Sequence, residues 1–140
     1  MKKPNALSLL CTVIFLIGIV AALLGFLNRG NQLLTYSLLF VSIIYLISGW
    51  YIFKGYHPEG HPLLLFLMGY LYSSVFMSFT LVTADWPMAK TFVTIAIAWS
   101  LIQIVMVITI RKKLTREGFV QFLIEGFLML VMTIVILTSL

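Results

Sequence analysis

The stretch Ala6–Leu27, ALSLLCTVIFLIGIVAALLGFL, runs for 22 residues without a charged side chain. At 1.5 Å rise per residue, about 20 mostly apolar residues cross a hydrocarbon core near 30 Å thick, so this stretch reads as one membrane-spanning helix. Three more uncharged runs of similar length follow at Leu33–Phe53, Leu63–Val82 and Thr91–Ile110, and a fifth, Phe119–Leu140, carries only Glu125. That fifth run holds fourteen Leu, Ile, Phe or Val residues. At roughly −0.3 to −0.6 kcal/mol each they outweigh the cost of about +2.5 to +3.5 kcal/mol for one mid-span acid. The expected architecture is therefore all-α, a polytopic membrane bundle of five transmembrane helices forming a single domain. The alternative is four spans with the last segment lying differently, but that segment lacks the polar face of an interfacial helix.

Composition agrees with a chain bathed in lipid. Of 140 residues, 62% are hydrophobic and 9% charged, where a soluble domain has about 25% charged residues. Short connections, at 28–32, 54–62, 83–90 and 111–118, place consecutive helices side by side and antiparallel. Positive residues flanking spans stay on the cytoplasmic side. With the N-terminus inside, Lys2, Lys3, Lys54, Arg111, Lys112, Lys113 and Arg116 are cytoplasmic and only Arg29 and Lys90 lie outside. The expected orientation is N-terminus in and C-terminus out, in a cell membrane, with a bacterial cytoplasmic membrane as the reading of its location. The N-terminal apolar run exceeds a secretory h-region and no Ala-x-Ala site follows, so it reads as a retained helix. The net charge of +5 is then largely the orientation signal, and no nucleic-acid partner is expected.

The connections carry turn chemistry. His57-Pro58-Glu59-Gly60 suits a type I turn, and Pro62 suits a first helical turn. Asn28 and Gly30 suit a helix end, Asn31 an N-cap, and Asp85 a cap for the fourth helix with Pro87 in its first turn. Trp50, Tyr51, Tyr56 and Trp86 fall at the levels where aromatic anchors sit. Small residues four apart mark helix contacts: Gly18 with Ala22 and Ala21 with Gly25 in the first helix, Gly69 with Ser73 and Ser74 with Ser78 in the third.

Glu125 is the leading functional candidate, because an acid inside a membrane is costly. It lies six residues past Phe119, and Gln103 lies seven before Ile110, so both sit about 9–10 Å inside the same boundary. Gln121, one turn before Glu125, lies on the same helical face. A clamp of Glu125, Gln103 and Gln121 would join the fourth helix to the fifth. The sharper alternative adds Tyr45 and Tyr70, at the same depth, with Ser48, Ser73 and Thr12 nearby, as a polar layer lining a cavity for a cation, a proton or a polar solute.

Arg111, Lys112, Lys113 and Arg116 form a cytoplasmic cluster expected to attract anionic lipid headgroups. His57, Glu59 and His61 are a weak candidate for a metal, since the Pro58 turn does not place two histidines on one helical face. The single cysteine, Cys11, excludes an intrachain disulfide and has no histidine assigned to it as a catalytic base. Neither a cofactor nor an enzymatic activity is expected. The functional expectation is an accessory, assembly or scaffold subunit that works by helix packing against another membrane protein or a second copy of itself. The alternative is a small oligomeric ion or solute conduit built on Glu125, and a third reading is lipid or isoprenoid handling at the Arg111–Arg116 cluster.

Overall fold

The computed structural model describes residues 6–28, 30–52, 62–113 and 116–139. Five long helices make up almost all of it: α1 (Ala6–Leu27), α2 (Gln32–Ile52), α3 (Pro62–Thr83), α4 (Ala89–Thr109) and α5 (Arg116–Ser139), with a single 3-10 turn at Arg111–Lys113. All five are long and apolar enough to cross a membrane. The expected metal candidate, His57, Glu59 and His61, lies outside the described residues, as do Lys54, Tyr56 and the side chains of Trp50 and Lys113.

Each helix touches its chain neighbours, and α3 sits at the centre, against α1, α2 and α4. Without a hydrophobic drive between apolar helices, close approach has to come from small residues. The α2/α3 contact is the most extensive and shows how this works. A Cβ on Gly69 would lie 2.6 Å from the backbone oxygen of Tyr45 and 3.1 Å from Cα of Gly49. One turn on, the Ser42 hydroxyl lies 2.9 Å from the Ser73 carbonyl and 3.0 Å from its hydroxyl. Gly18 of α1 lies against the Phe76 ring, and Gly25 against Thr83. Ser78 donates to the Phe92 carbonyl on α4 at 3.1 Å.

Two turns at one end of the bundle close the helices. Asn31 caps α2, its Oδ1 accepting the Leu34 N–H at 3.2 Å. Gly30 takes φ +84°, and its N–H donates to the Thr83 carbonyl at 2.7 Å, tying the α1–α2 turn to the end of α3. The expected cap of α4 by Asp85 is not formed. Asp85 has φ +57° and ends α3 instead: its N–H donates to Val82 and the Trp86 N–H to Leu81, both at 3.0 Å. This is a Schellman ending with Asp in the left-handed position that glycine usually takes, one that Asp tolerates better than most residues. The N-cap of α4 is Met88, which makes no side-chain cap bond, and Pro87 precedes the helix rather than entering its first turn.

The exterior is apolar. Leu16, Ile17 and Val20 on α1, Ile47 on α2, Val105 on α4 and Ile124, Phe127 and Val131 on α5 are all about half exposed or more. In water such a surface is unfavourable at roughly 25 cal/mol per Å². Five such helices are compatible with a multi-pass membrane protein.

Candidate functional site

The centre of the bundle is aromatic. Tyr45 stacks on Phe76, with ring centroids 5.5 Å apart and an interplanar angle of 9°. Phe15 meets both Tyr72 and Phe76 edge-on at 6.0 Å, Tyr72 meets Tyr45 at 5.1 Å and Phe122 at 6.3 Å, and all five rings are at most 3% exposed. Edge-to-face and stacked pairs of this kind add about 0.5–1.5 kcal/mol beyond the area they bury. These rings fill the space between α1, α2, α3 and α5.

Into this cluster α5 brings Glu125, which is 3% exposed. The Tyr72 hydroxyl donates to Glu125 Oε2 at 2.6 Å. Gln103 Nε2 in turn donates to the Tyr72 hydroxyl at 3.2 Å and to the Phe122 carbonyl at 3.1 Å. The chain of bonds therefore runs from α4 through α3 to α5, and Tyr72 is its middle member. Gly126 makes room for it, since a Cβ there would collide with Gln103 Oε1 and lie 2.8 Å from Ile104 Cγ1. Glu125 Oε1 is buried and has no hydrogen-bond partner among the described residues.

Glu125 and Gln103 thus meet in one network, but through Tyr72 rather than directly. Gln121 donates its amide to Thr12 Oγ1, bridging α5 to α1, and its side chain also interacts with the Glu125 carboxyl one turn on. Tyr45 lies in the aromatic cluster. Tyr70 does not belong to the site. It is 43% exposed and meets Trp99 edge-on at 5.8 Å on the outer surface. Depth along α3 is nearly the same for residues 70 and 72, but two residues turn a helix by about 200°, so they face opposite ways. The missed residue is Tyr72, and the signal for it was the apolar spacing Leu65, Met68, Tyr72, Val75, Phe76 and Phe79, the buried stripe of α3.

Against α1, helix α5 is only loosely seated, and the gap between them is a lateral recess of about 550 Å³. Its walls are Thr12, Phe15 and Leu16 from α1 and Arg116, Val120, Gln121, Ile124, Glu125 and Leu128 from α5. Glu125 is one of its polar lining residues. Arg116 stands exposed at its other end, nine residues and about 13 Å away along the helix. Arg111 and Lys112 are also exposed but do not line the recess.

The chain matches no protein-family model, no curated protein and no solved structure. Function is therefore read from the recess and the network behind it.

Proposed function

We propose that this is a non-enzymatic, multi-pass membrane protein, N-terminus cytoplasmic, that works as an accessory binding protein for a small molecule dissolved in the membrane. The observation that carries this reading is the α1/α5 recess of about 550 Å³, whose lining includes Glu125, the acid that the Tyr72 hydroxyl meets from α3.

Two features favour a binding recess over the other expectations. A conduit needs a wetted path from face to face, whereas behind Glu125 the bundle is filled by five buried rings. The volume falls within the roughly 300–1,000 Å³ of small-molecule sites. With seven of nine Lys and Arg residues inside, the Arg116 end of the recess lies at the cytoplasmic interface, where Arg116 reaches the headgroup layer.

The test is native mass spectrometry of protein extracted gently from its membrane, comparing wild type with Ile124→Trp, which fills the recess from an exposed position, and Ile102→Trp, at another exposed position on α4. A small co-extracted mass retained by wild type and Ile102→Trp and lost in Ile124→Trp is the expected result. Equal retention in all three would sink the recess. A stoichiometric foreign chain that survives Ile124→Trp would restore the scaffold role.

A further inference from the structure

We infer that the occupant of the recess is an anionic phospholipid of the cytoplasmic leaflet, with one acyl chain lying between α1 and α5 and its phosphate held by Arg116. This rests on the reading of the α1/α5 gap as a binding recess and adds the chemical class of what fills it.

Length sets the first limit. The α5 wall runs from Arg116 to Leu128, about 18 Å along the helix axis. One leaflet supplies about 15 Å, half of a hydrocarbon core near 30 Å thick. A chain that starts beside Arg116 at the headgroup level therefore ends close to the middle of the bilayer, where the chain of a resident lipid ends.

Access sets the second. Leu16 on α1 and Val120 and Ile124 on α5 line the recess and are each about half exposed, so its walls are continuous with the lipid-facing surface. An occupant enters sideways from the bilayer. A lipid with two chains lays one in the gap and keeps the other outside, and the anions resident in the cytoplasmic leaflet are phospholipids.

Charge decides which lipid. The polar groups along the walls are tied up within the protein: Gln121 donates to Thr12 and also meets the Glu125 carboxyl, which accepts from Tyr72. What they leave for an occupant is apolar wall, Phe15 included, so the polar head belongs at the end where Arg116 stands exposed. A helical side chain leans toward the N-terminus of its helix, which carries the Arg116 guanidinium toward the headgroup layer. That group donates five N–H bonds, accepts none and matches phosphate oxygens in pairs. A cationic head is disfavoured there, because Arg111, Lys112, Lys113 and Arg116 outnumber Glu117, the one acid between Arg111 and Gly118. A zwitterionic head brings its own cation to the same cluster. Arg111 and Lys112 are exposed but do not line the recess; they draw anionic lipid to this face, and Arg116 seats one molecule of it.

The experiment uses the full chain in detergent and three lipids with the same acyl chain: dioleoylphosphatidylglycerol, dioleoylphosphatidylcholine and oleate. Native mass spectrometry reads the fraction of protein carrying one lipid as concentration rises. The expected result is one phosphatidylglycerol per chain, with half-saturation roughly fivefold or more below that of the other two, the worth of one basic residue at an anionic surface. Arg116→Gln should bring phosphatidylglycerol to the level of phosphatidylcholine, whereas Arg111→Gln combined with Lys112→Gln should keep it ahead. Ile124→Trp and, from the opposite wall, Leu16→Trp should remove saturable binding while keeping wild-type helix content by circular dichroism. Equal binding of the two phospholipids, oleate bound as tightly as phosphatidylglycerol, or an undiminished preference in Arg116→Gln overturns the anionic phospholipid. If the three lipids bind alike and both Trp variants remove them, the recess stands and only its ligand class falls. If both Trp variants leave bound lipid untouched, the recess reading falls with it.

Discussion

Tyr72→Phe isolates the hydroxyl on which the Gln103–Tyr72–Glu125 network turns. The ring stays, so its contacts with Phe15, Tyr45 and Phe122 are preserved and no cavity opens. Two hydrogen bonds are lost. The bond from Gln103 is the longer at 3.2 Å, and Gln103 keeps its second bond to Phe122, so its loss is worth close to the average of about 0.6 kcal/mol for polar contacts between membrane helices. The bond to Glu125 is short at 2.6 Å and falls on a carboxyl whose other oxygen has no partner. Leaving a buried acceptor bare costs about 1–3 kcal/mol, and the largest comparable value inside membrane proteins is about 1.7. Together these give a loss of about 1.5–2 kcal/mol. Tyr70→Phe, two residues away on the outer surface, should stay within about 0.5 kcal/mol of wild type. In a Glu125→Leu background Tyr72→Phe should cost only the residual 0.6 or so, a coupling of about 1 kcal/mol. Unfolding in mixed micelles by added SDS, followed by circular dichroism, measures wild type and all four variants. If Tyr72→Phe costs less than about 0.5 kcal/mol, or no more than Tyr70→Phe, the network does not hold α3 to α5.

Gly69→Ala drives a methyl group into the α2 backbone at Tyr45 and Gly49, where no side chain can yield, and should lose about 2–3 kcal/mol in the same assay. Gly30→Ala has open space around it and should lose only the cost of a positive φ, about 1–2 kcal/mol. Gly126→Ala should cost about 1–3 kcal/mol by displacing Gln103, and Gln103→Ala introduced into that variant should cost less than it does alone. For topology, single cysteines placed at Trp86 and Arg111 in a Cys11→Ser background should react oppositely with an impermeant maleimide on intact cells. Trp86→Cys should label and Arg111→Cys should not, until the membrane is opened; the reverse pattern would invert the orientation.

Helix number and ends were legible because they depend on one-dimensional signals. Charges, prolines and Asn–Gly turns interrupt apolar runs, and the run Ala6–Leu27 is α1 residue for residue. Depth was legible too, since 1.5 Å per residue from a boundary is simple arithmetic, and it put Gln103 and Glu125 in reach of one network. Facing was not. A helix meant for water shows its core side by contrast between apolar and polar residues. On α3 both sides are apolar, so Tyr70 and Tyr72 looked equivalent at the same depth. Small residues were the better guide, because steric fit operates in lipid where hydrophobic contrast does not: Gly18, Gly25 and Gly69 each lie against a neighbouring helix. The recess itself had no trace in the sequence, since a gap is a property of two helices and not of either. Asp85 misled because one residue type serves both at helix starts and in the left-handed turn that ends a helix.

The bond from Gly30 to Thr83 gives α1 a fixed pivot. One end of that helix is fastened to α3 by this bond and by the seat of Gly25 against Thr83, while its opposite half borders α5 across the recess. A rod of 22 residues is about 33 Å long, so leaning by about 5° around the pivot moves its far tip by about 3 Å and Ala22 by less than 1 Å. Any breathing of α1 is therefore converted by leverage into a change of aperture at Thr12 and Leu16, with the seam at Ala22 and Gly25 left closed.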